Sequence, residues 1–247
     1  MILMFGDIHD DFRHVLPAVK EHRPAAIILL GDMEASKPLE QELESVLSKT
    51  EVYWIPGNHD TDTFENYRNL FESELADRNL HGRIVEIDGL KVAGLGGVFR
   101  EEIWNPVTPE SPSHYRSFED YRLNSPRARF ASSKSGKLLM HRSTIFYREW
   151  FNLYGQQADI LVTHEAPSCH PYGFQVLTEL ARSMHVKFAF HGHLHDALNY
   201  ADKFKELEFS AFGVGLRGIK DMYGGQIRVG HHDAHFEREY QKLRGTK

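Results

Sequence analysis

Three histidines, His191, His193 and His195, occupy every second position of the stretch KFAFHGHLHDALNY. Imidazoles at that spacing can share one face of a strand and serve as metal ligands. Alone they decide little, because the chain carries 16 histidines among 247 residues. Other short apolar runs end in comparable groups. ILMFGD reaches Asp7 with His9 two residues on, AAIILLGD ends at Asp32, VYWIPGNHD carries Asn58 and His59, and DILVTHE contains His164. Carboxylate, amide oxygen and neutral imidazole suit divalent ions such as Mn, Fe, Zn, Ni or Co, while the lack of thiolate ligands argues against a structural zinc site. Two carboxylates plus several neutral donors are more than one ion needs. Two divalent metal ions about 3.5–4 Å apart, bridged by a carboxylate, are therefore expected. Asp32, which serves its segment alone, is the expected bridge.

The elements that must position these groups follow from the pattern of apolar runs. Runs of four to six apolar residues read as buried strands of a sheet covered on both faces. Helices are predicted near 12–21, 39–48, 63–76 and 173–184, the second opened by Ser36 and Pro38. The early βαβαβ alternation implies parallel strands, and α/β sheets build their sites at the carboxyl ends of such strands. RIVEIDGLKVAGLG, FKELEFSAFGVG and GGQIRVGHH read as further strands. Hairpin turns are predicted at Asp88 with Gly89 and at Gly224 with Gly225, which points to a second, partly antiparallel sheet.

The D-I-H of Asp7 and His9, the G-D of Asp32, the G-N-H-D of Asn58, His59 and Asp60, the lone His164 and the G-H-L-H of His193 and His195 come in a telling order. Together they resemble the calcineurin-like metallophosphoesterase superfamily. The resemblance implies an α/β fold: a four-layer α/β/β/α sandwich with two mixed central sheets flanked by helices. It implies that Asp7, His9, Asp32 and His195 hold one metal, and that Asp32, Asn58, His164 and His193 hold the other. His59 would act as general acid towards the leaving group, with Asp60 steadying it, while a metal-bridging hydroxide attacks the phosphorus of a phosphomonoester or phosphodiester. Manganese is the ion expected to serve in vitro. His191 would end its strand as a packing or ligand-supporting residue, with Gly192 turning the chain beyond it. The second block departs from the pattern of the protein Ser/Thr phosphatase branch: Ala35 stands where that branch has a second Asp and Ser36 where it has Arg. A place in that branch is therefore not expected.

Size and composition fit one soluble α/β domain spanning 1–247: 41% hydrophobic residues, 26% charged and a formal charge of −6. The acidic balance and the lack of a basic-aromatic track disfavour nucleic acid as partner without excluding it. An anionic phosphoester is the expected one. No run approaches the length of a membrane helix. The single Cys169 fits a reducing compartment, and a strand starting at Met1 leaves no room for a leader, so the expected location is the cytoplasm. The composition does not fix an oligomeric state. From 98 to 138 the periodicity fails, and Pro106, Pro109, Pro112 and Pro126 interrupt the chain. Extended to Trp150, this cap-like insertion holds nine Lys or Arg against six Asp or Glu, with His114, Tyr115, Tyr121 and Phe130. It reads either as a cap touching an anionic substrate through Arg100, Arg127, Arg129 or Arg142, or as a solvated insertion. Rival functions are a non-catalytic metal-binding scaffold of the same fold and a nuclease-type phosphodiesterase. The intact ligand set and His59 weigh against the scaffold.

Overall fold

Strand β1 (Ile2–Phe5) is buried along its whole length, and alternate residues serve different layers. Leu3 and Phe5 join one apolar cluster while Ile2 and Met4 join another, as side chains of period two must when both faces of a sheet are covered. A computed structural model describes residues 1–108, 110–129 and 131–245; Pro109 and Phe130 lie outside the described residues. Among the described residues, β1, β2 (Ala26–Leu29), β3 (Glu51–Trp54), β4 (Arg83–Ile87), β5 (Leu90–Leu95), β6 (Ile160–Thr163), β7 (Phe188–His191), β8 (Ser210–Gly213), β9 (Ile219–Asp221) and β10 (Gln226–Arg228) form two five-stranded sheets. The first runs β10-β9-β1-β2-β3 and the second β4-β5-β6-β7-β8.

The sheets face each other across a shared core. Ile2, Met4, Ile28 and Tyr53 from the first meet Val92, Ile160, Val162 and Phe190 from the second. The outer face of the first sheet packs Leu3, Phe5, Ile27, Leu29 and Trp54 against Val15, Val19, Leu39, Val46 and Leu70 of its helices. The outer face of the second packs Leu95, Leu161, Ala189 and Ala211 against Trp150, Leu153, Val176, Leu177 and Leu180. This is the four-layer α/β/β/α sandwich with mixed sheets. β1, β2 and β3 are parallel, as are β5 to β8, while β4 and β9 pair antiparallel with their neighbours.

Local chemistry explains the details. Asp88 and Gly89 both take positive φ, 51° and 76°, which is the type I′ geometry that joins β4 to β5. The predicted 12–21 helix begins as a 3-10 turn, Phe12–His14, before Val15–His22. The 39–48 segment breaks at Leu43 into Leu39–Glu42 and Glu44–Leu47, and the third helix stops at Phe71. FKELEFSAFGVG is only partly a strand: Phe204–Leu207 is a helical turn closed by Glu208 at φ 71°, and β8 starts at Ser210. The late strands also divide between the sheets, with β8 in the second and the β9–β10 hairpin extending the first. Within 98–138, Ser117 caps a helix at Phe118–Asn124, and Ile103, Trp104, Tyr121, Ala128 and Leu138 are buried in the outer core of the second sheet. The segment is thus not a wholly solvated insertion. Among the described residues, no helix is long and apolar enough to cross a membrane.

Candidate metal centre

The carboxyl ends of β1, β2, β3, β6 and β7 deliver seven side chains to one edge of the sandwich. Two groups of ligand atoms form there, His9 with Asp32 and His195, and Asp32 with His164 and His193, each with its atoms within 4.8 Å of one another. Asp32 belongs to both. Its Oδ1 accepts the His59 backbone N–H at 2.8 Å, so Oδ2 alone faces both groups, 3.4 Å from His164 Nε2 and 4.0 Å from His9 Nε2. Asn58 Oδ1 lies 3.2 Å from His164 Nε2. Asp7 is fully buried; Oδ1 accepts the His193 N–H at 3.0 Å and Oδ2 has no hydrogen-bond partner among the described residues.

The residues fit a pair of divalent cations. His164 Nδ1 donates to Leu30 O at 2.7 Å, which leaves Nε2 facing two oxygens, where it holds either a proton or a cation between them. His9 Nδ1 pairs with Glu34, so its Nε2 lone pair meets His195 Nε2 at 2.9 Å. Nitrogen and oxygen atoms that converge in this way can share a cation, and the Nδ1 hydrogen bonds of His9 and His164 turn Nε2 of each ring toward it. Electrostatics point the same way. Burial disfavours charge on His164, yet the carboxylates of Asp32 and Asp7 raise it to about 10. Burial lowers His193 to about 3 and His195 to about 4, keeping both as neutral donors. Burial pushes Asp7 up to about 7; it acts on Asp32 in the same sense, but the charge of His164 outweighs it and keeps Asp32 ionised.

The backbone is bent to make this cluster. His9, Asp32, His193 and His195 have φ of 44°, 48°, 67° and 57°, a region that side chains with Cβ rarely occupy and that concentrates at functional sites. The turn beyond β7 is thus made by His193 and His195 themselves rather than by Gly192. What Gly192 supplies is space: a Cβ there would lie 3.0 Å from Asp7 Oδ1. Gly31, at φ 103°, leaves room for His164, whose Nδ1 would be 2.3 Å from an added Cβ.

The placement of the other expected residues differs in one respect. His59 sits at the rim, its ring centroid 5.6 Å from that of His9, and its Nδ1 is 2.7 Å from Asp62 Oδ2. Asp60 does not touch that ring. Its two oxygens accept the N–H groups of Glu34 and Gly57, tying the second and third blocks together, so Asp62 and not Asp60 holds the His59 side chain. His191 is fully buried, with Nε2 3.1 Å from Tyr200 Oη, and stands outside both ligand groups. Sequence reasoning missed Glu34, Asp62, Glu165 and Arg217. Glu165 Oε2 is 3.8 Å from His193 Nε2, and Arg217 donates to the carbonyls of Ile8 and His9. The signal available for three of them was nearness in sequence, of Glu34 to Asp32, of Asp62 to His59 and of Glu165 to His164.

Comparison with known proteins agrees with this geometry. The sequence model described as calcineurin-like phosphoesterase matches residues 1–197. An uncharacterised protein of Haemophilus influenzae is 39% identical over 227 residues, covering 92% of this chain and 96% of its own length. The crystal structure of TT1561 of Thermus thermophilus superposes with a TM-score of 0.53 at 18% identity, covering 92% of this chain and 98% of that one, a likeness of fold. The chain belongs to the calcineurin-like phosphoesterase family.

Proposed function

We propose that this chain hydrolyses a small phosphomonoester or phosphodiester with two divalent ions, one held by Asp7, His9, Asp32 and His195 and the other by Asp32, Asn58, His164 and His193. The observation that carries the reading is the single Asp32 oxygen facing both histidine groups. Bound there, such ions acidify a shared water and take charge from phosphoryl oxygens. Manganese, iron, zinc, nickel and cobalt all suit oxygen and imidazole donors, and manganese is the first to test.

The chain's own groups do the rest. Glu34 and Leu30 O hold His9 and His164 with their Nε2 atoms inward, the side a bound ion would take. His59 serves as general acid. Burial lowers its pKa, but the Asp62 hydrogen bond and the charge of Asp32 outweigh that, and it stands above its ordinary value. With Nδ1 engaged by Asp62, its Nε2–H is free to protonate a leaving oxygen. Asp60 keeps the Gly57 and Glu34 amides, and with them the Asn58 loop, in place.

The test is to strip the protein with chelator, reload it with single metals, count bound ions by elemental analysis, and assay nitrophenyl phosphate and bis-nitrophenyl phosphate. Two ions per chain and metal-dependent hydrolysis are expected, with Asp32→Asn losing at least one ion and the activity. A wild-type protein that binds two ions and hydrolyses neither ester would support a scaffold instead. Retention of both ions by Asp32→Asn would remove the bridge.

A further inference from the structure

Arg100 leaves the end of β5 along a path pinned at three points. The Val98 N–H donates to Ser143 O at 3.0 Å, and Val98 O accepts the Ile145 N–H at 3.0 Å. The Phe99 N–H donates to Glu165 Oε1 at 3.2 Å, and Arg100 Nε donates to Thr144 Oγ1 at 3.0 Å. Each anchor is itself attached to one wall of the metal centre. Glu165 follows His164 and reaches to within 3.8 Å of His193 Nε2. Ser143 Oγ shares a 2.6 Å hydrogen bond with Thr61 Oγ1, two residues past His59. Arg100 is therefore held between the wall carrying His164 and His193 and the wall carrying His59 and Asp62.

Its guanidinium is unfinished there. Beyond Nε, it makes no hydrogen bond or ion pair with the described residues. Burial lowers its pKa from the ordinary arginine value without discharging it, and the acids that offset this from around the cleft are Asp62, Glu165 and Asp32. Of the other arginines, Arg127 is committed to Glu102 at 3.0 Å, Arg142 to the ring of Phe118 at 3.8 Å, and Arg217 to Asp11 and the loop carbonyls. A half-buried guanidinium with free N–H groups lacks the partner that desolvation demands, and its fork matches two oxygens of a phosphoryl group.

We propose that Arg100 grips two phosphoryl oxygens of the substrate, and that its charge makes the preferred substrate a dianionic phosphomonoester rather than a monoanionic diester. This rests on the phosphoesterase reading above. One added cation beside the phosphoryl group favours the dianion, whereas a diester offers one negative charge and carries a second organic group into the space the fork occupies.

The test compares wild type, Arg100→Ala and Arg100→Lys, each reloaded with metal. Inorganic phosphate binding is measured by calorimetry, and kcat/KM on matched nitrophenyl mono- and diesters is measured beside it. Arg100→Ala is expected to keep two ions and to bind phosphate about 10- to 100-fold more weakly, the scale of a charged hydrogen-bond pair. Its kcat/KM is expected to fall further on the monoester than on the diester. Arg100→Lys keeps the charge without the fork and should lie between. Unchanged phosphate affinity in Arg100→Ala, with hydrolysis intact, overturns the contact, and equal losses on both esters overturn the class preference. A wild type that hydrolyses neither ester overturns the proposed function instead, while its phosphate affinity still reports on Arg100.

Discussion

His59 is the side chain whose removal separates chemistry from metal binding, because its ring lies beside His9 without belonging to either ligand group. Its ring lies at the rim, tied to Asp62. His59→Ala should retain both ions and lose about 10²- to 10⁴-fold in kcat on an alkyl phosphate, the range for one general acid. On nitrophenyl phosphate, whose leaving group departs without a proton, the loss should be much smaller. Equal losses on the two esters, measured side by side, would remove His59 from that role. The cluster of proposed ligand residues was legible because they stand at the ends of apolar runs, where few bland roles coincide. The partner of His59 was not. GNHDTD offers Asp60 and Asp62, and the string does not say which reaches the ring. The 3-10 turn His59–Thr61 decides it, since side chains three apart nearly eclipse in that geometry, which brings Asp62 to Nδ1 and leaves Asp60 for backbone amides. Glu34 was hidden for a similar reason: its reach to His9 depends on a φ of 48° that no residue type in GDMEAS announces.

At the scale of elements, strand ends fix directions and loops fix distances. The loop after β1 holds His9 in left-handed backbone, and a loop from the far end of the chain braces it. Arg217 donates to Ile8 O and His9 O, both at 3.0 Å, and lies 3.5 Å from Asp11. Arg217→Ala removes three anchors from a strained loop while leaving every proposed ligand side chain in place. Affinity for the ion of the His9 group should fall about 10-fold, at the low end for residues that support ligands. Competition with a chelating dye would measure this, and an affinity equal to wild type would show that the loop holds itself. Brace and strand register were equally hard to read. Apolar runs and the Asp88–Gly89 turn announce strands, because burial and positive φ are local demands. Which sheet a strand joins is not local: β9 lies against β1 although more than 200 residues separate them, and only the closing of two edges selects that partner. The 98–138 segment hid its anchors because Ile103, Trp104 and Tyr121 follow no regular period.

The whole molecule buries histidines in both outer layers, and this gives it a response to acid that is separate from the metals. His14 packs beside Phe5 under the first sheet's helices, and His141 beside Tyr121 on the opposite side. Each has a buried Nε2 with no hydrogen-bond partner among the described residues. Burial, reinforced by nearby cationic side chains, lowers both from 6.5 to about 4. In the unfolded chain each regains its ordinary value, so between pH 6.5 and 4 the unfolded state binds the proton and the folded state does not. Stability from these neutral rings is therefore complete above pH 6.5, declines as pH falls through that window, and levels off below about 4. The full loss is roughly 3 kcal/mol for each ring at 1.36 kcal/mol per unit. Asp7 and Asp60 beside the metal centre titrate in an overlapping range, pushed up to about 7 by burial, so the comparison must cancel them. Urea unfolding of the chelated wild type and His141→Gln at pH 7.5, 6 and 5 does so, since both chains share that centre. Gln cannot titrate, and the variant should gain stability relative to wild type at each step towards acid. Parallel curves across the three pH values would mean that His141 accepts its proton in the folded state, and that the layer around Tyr121 opens to water.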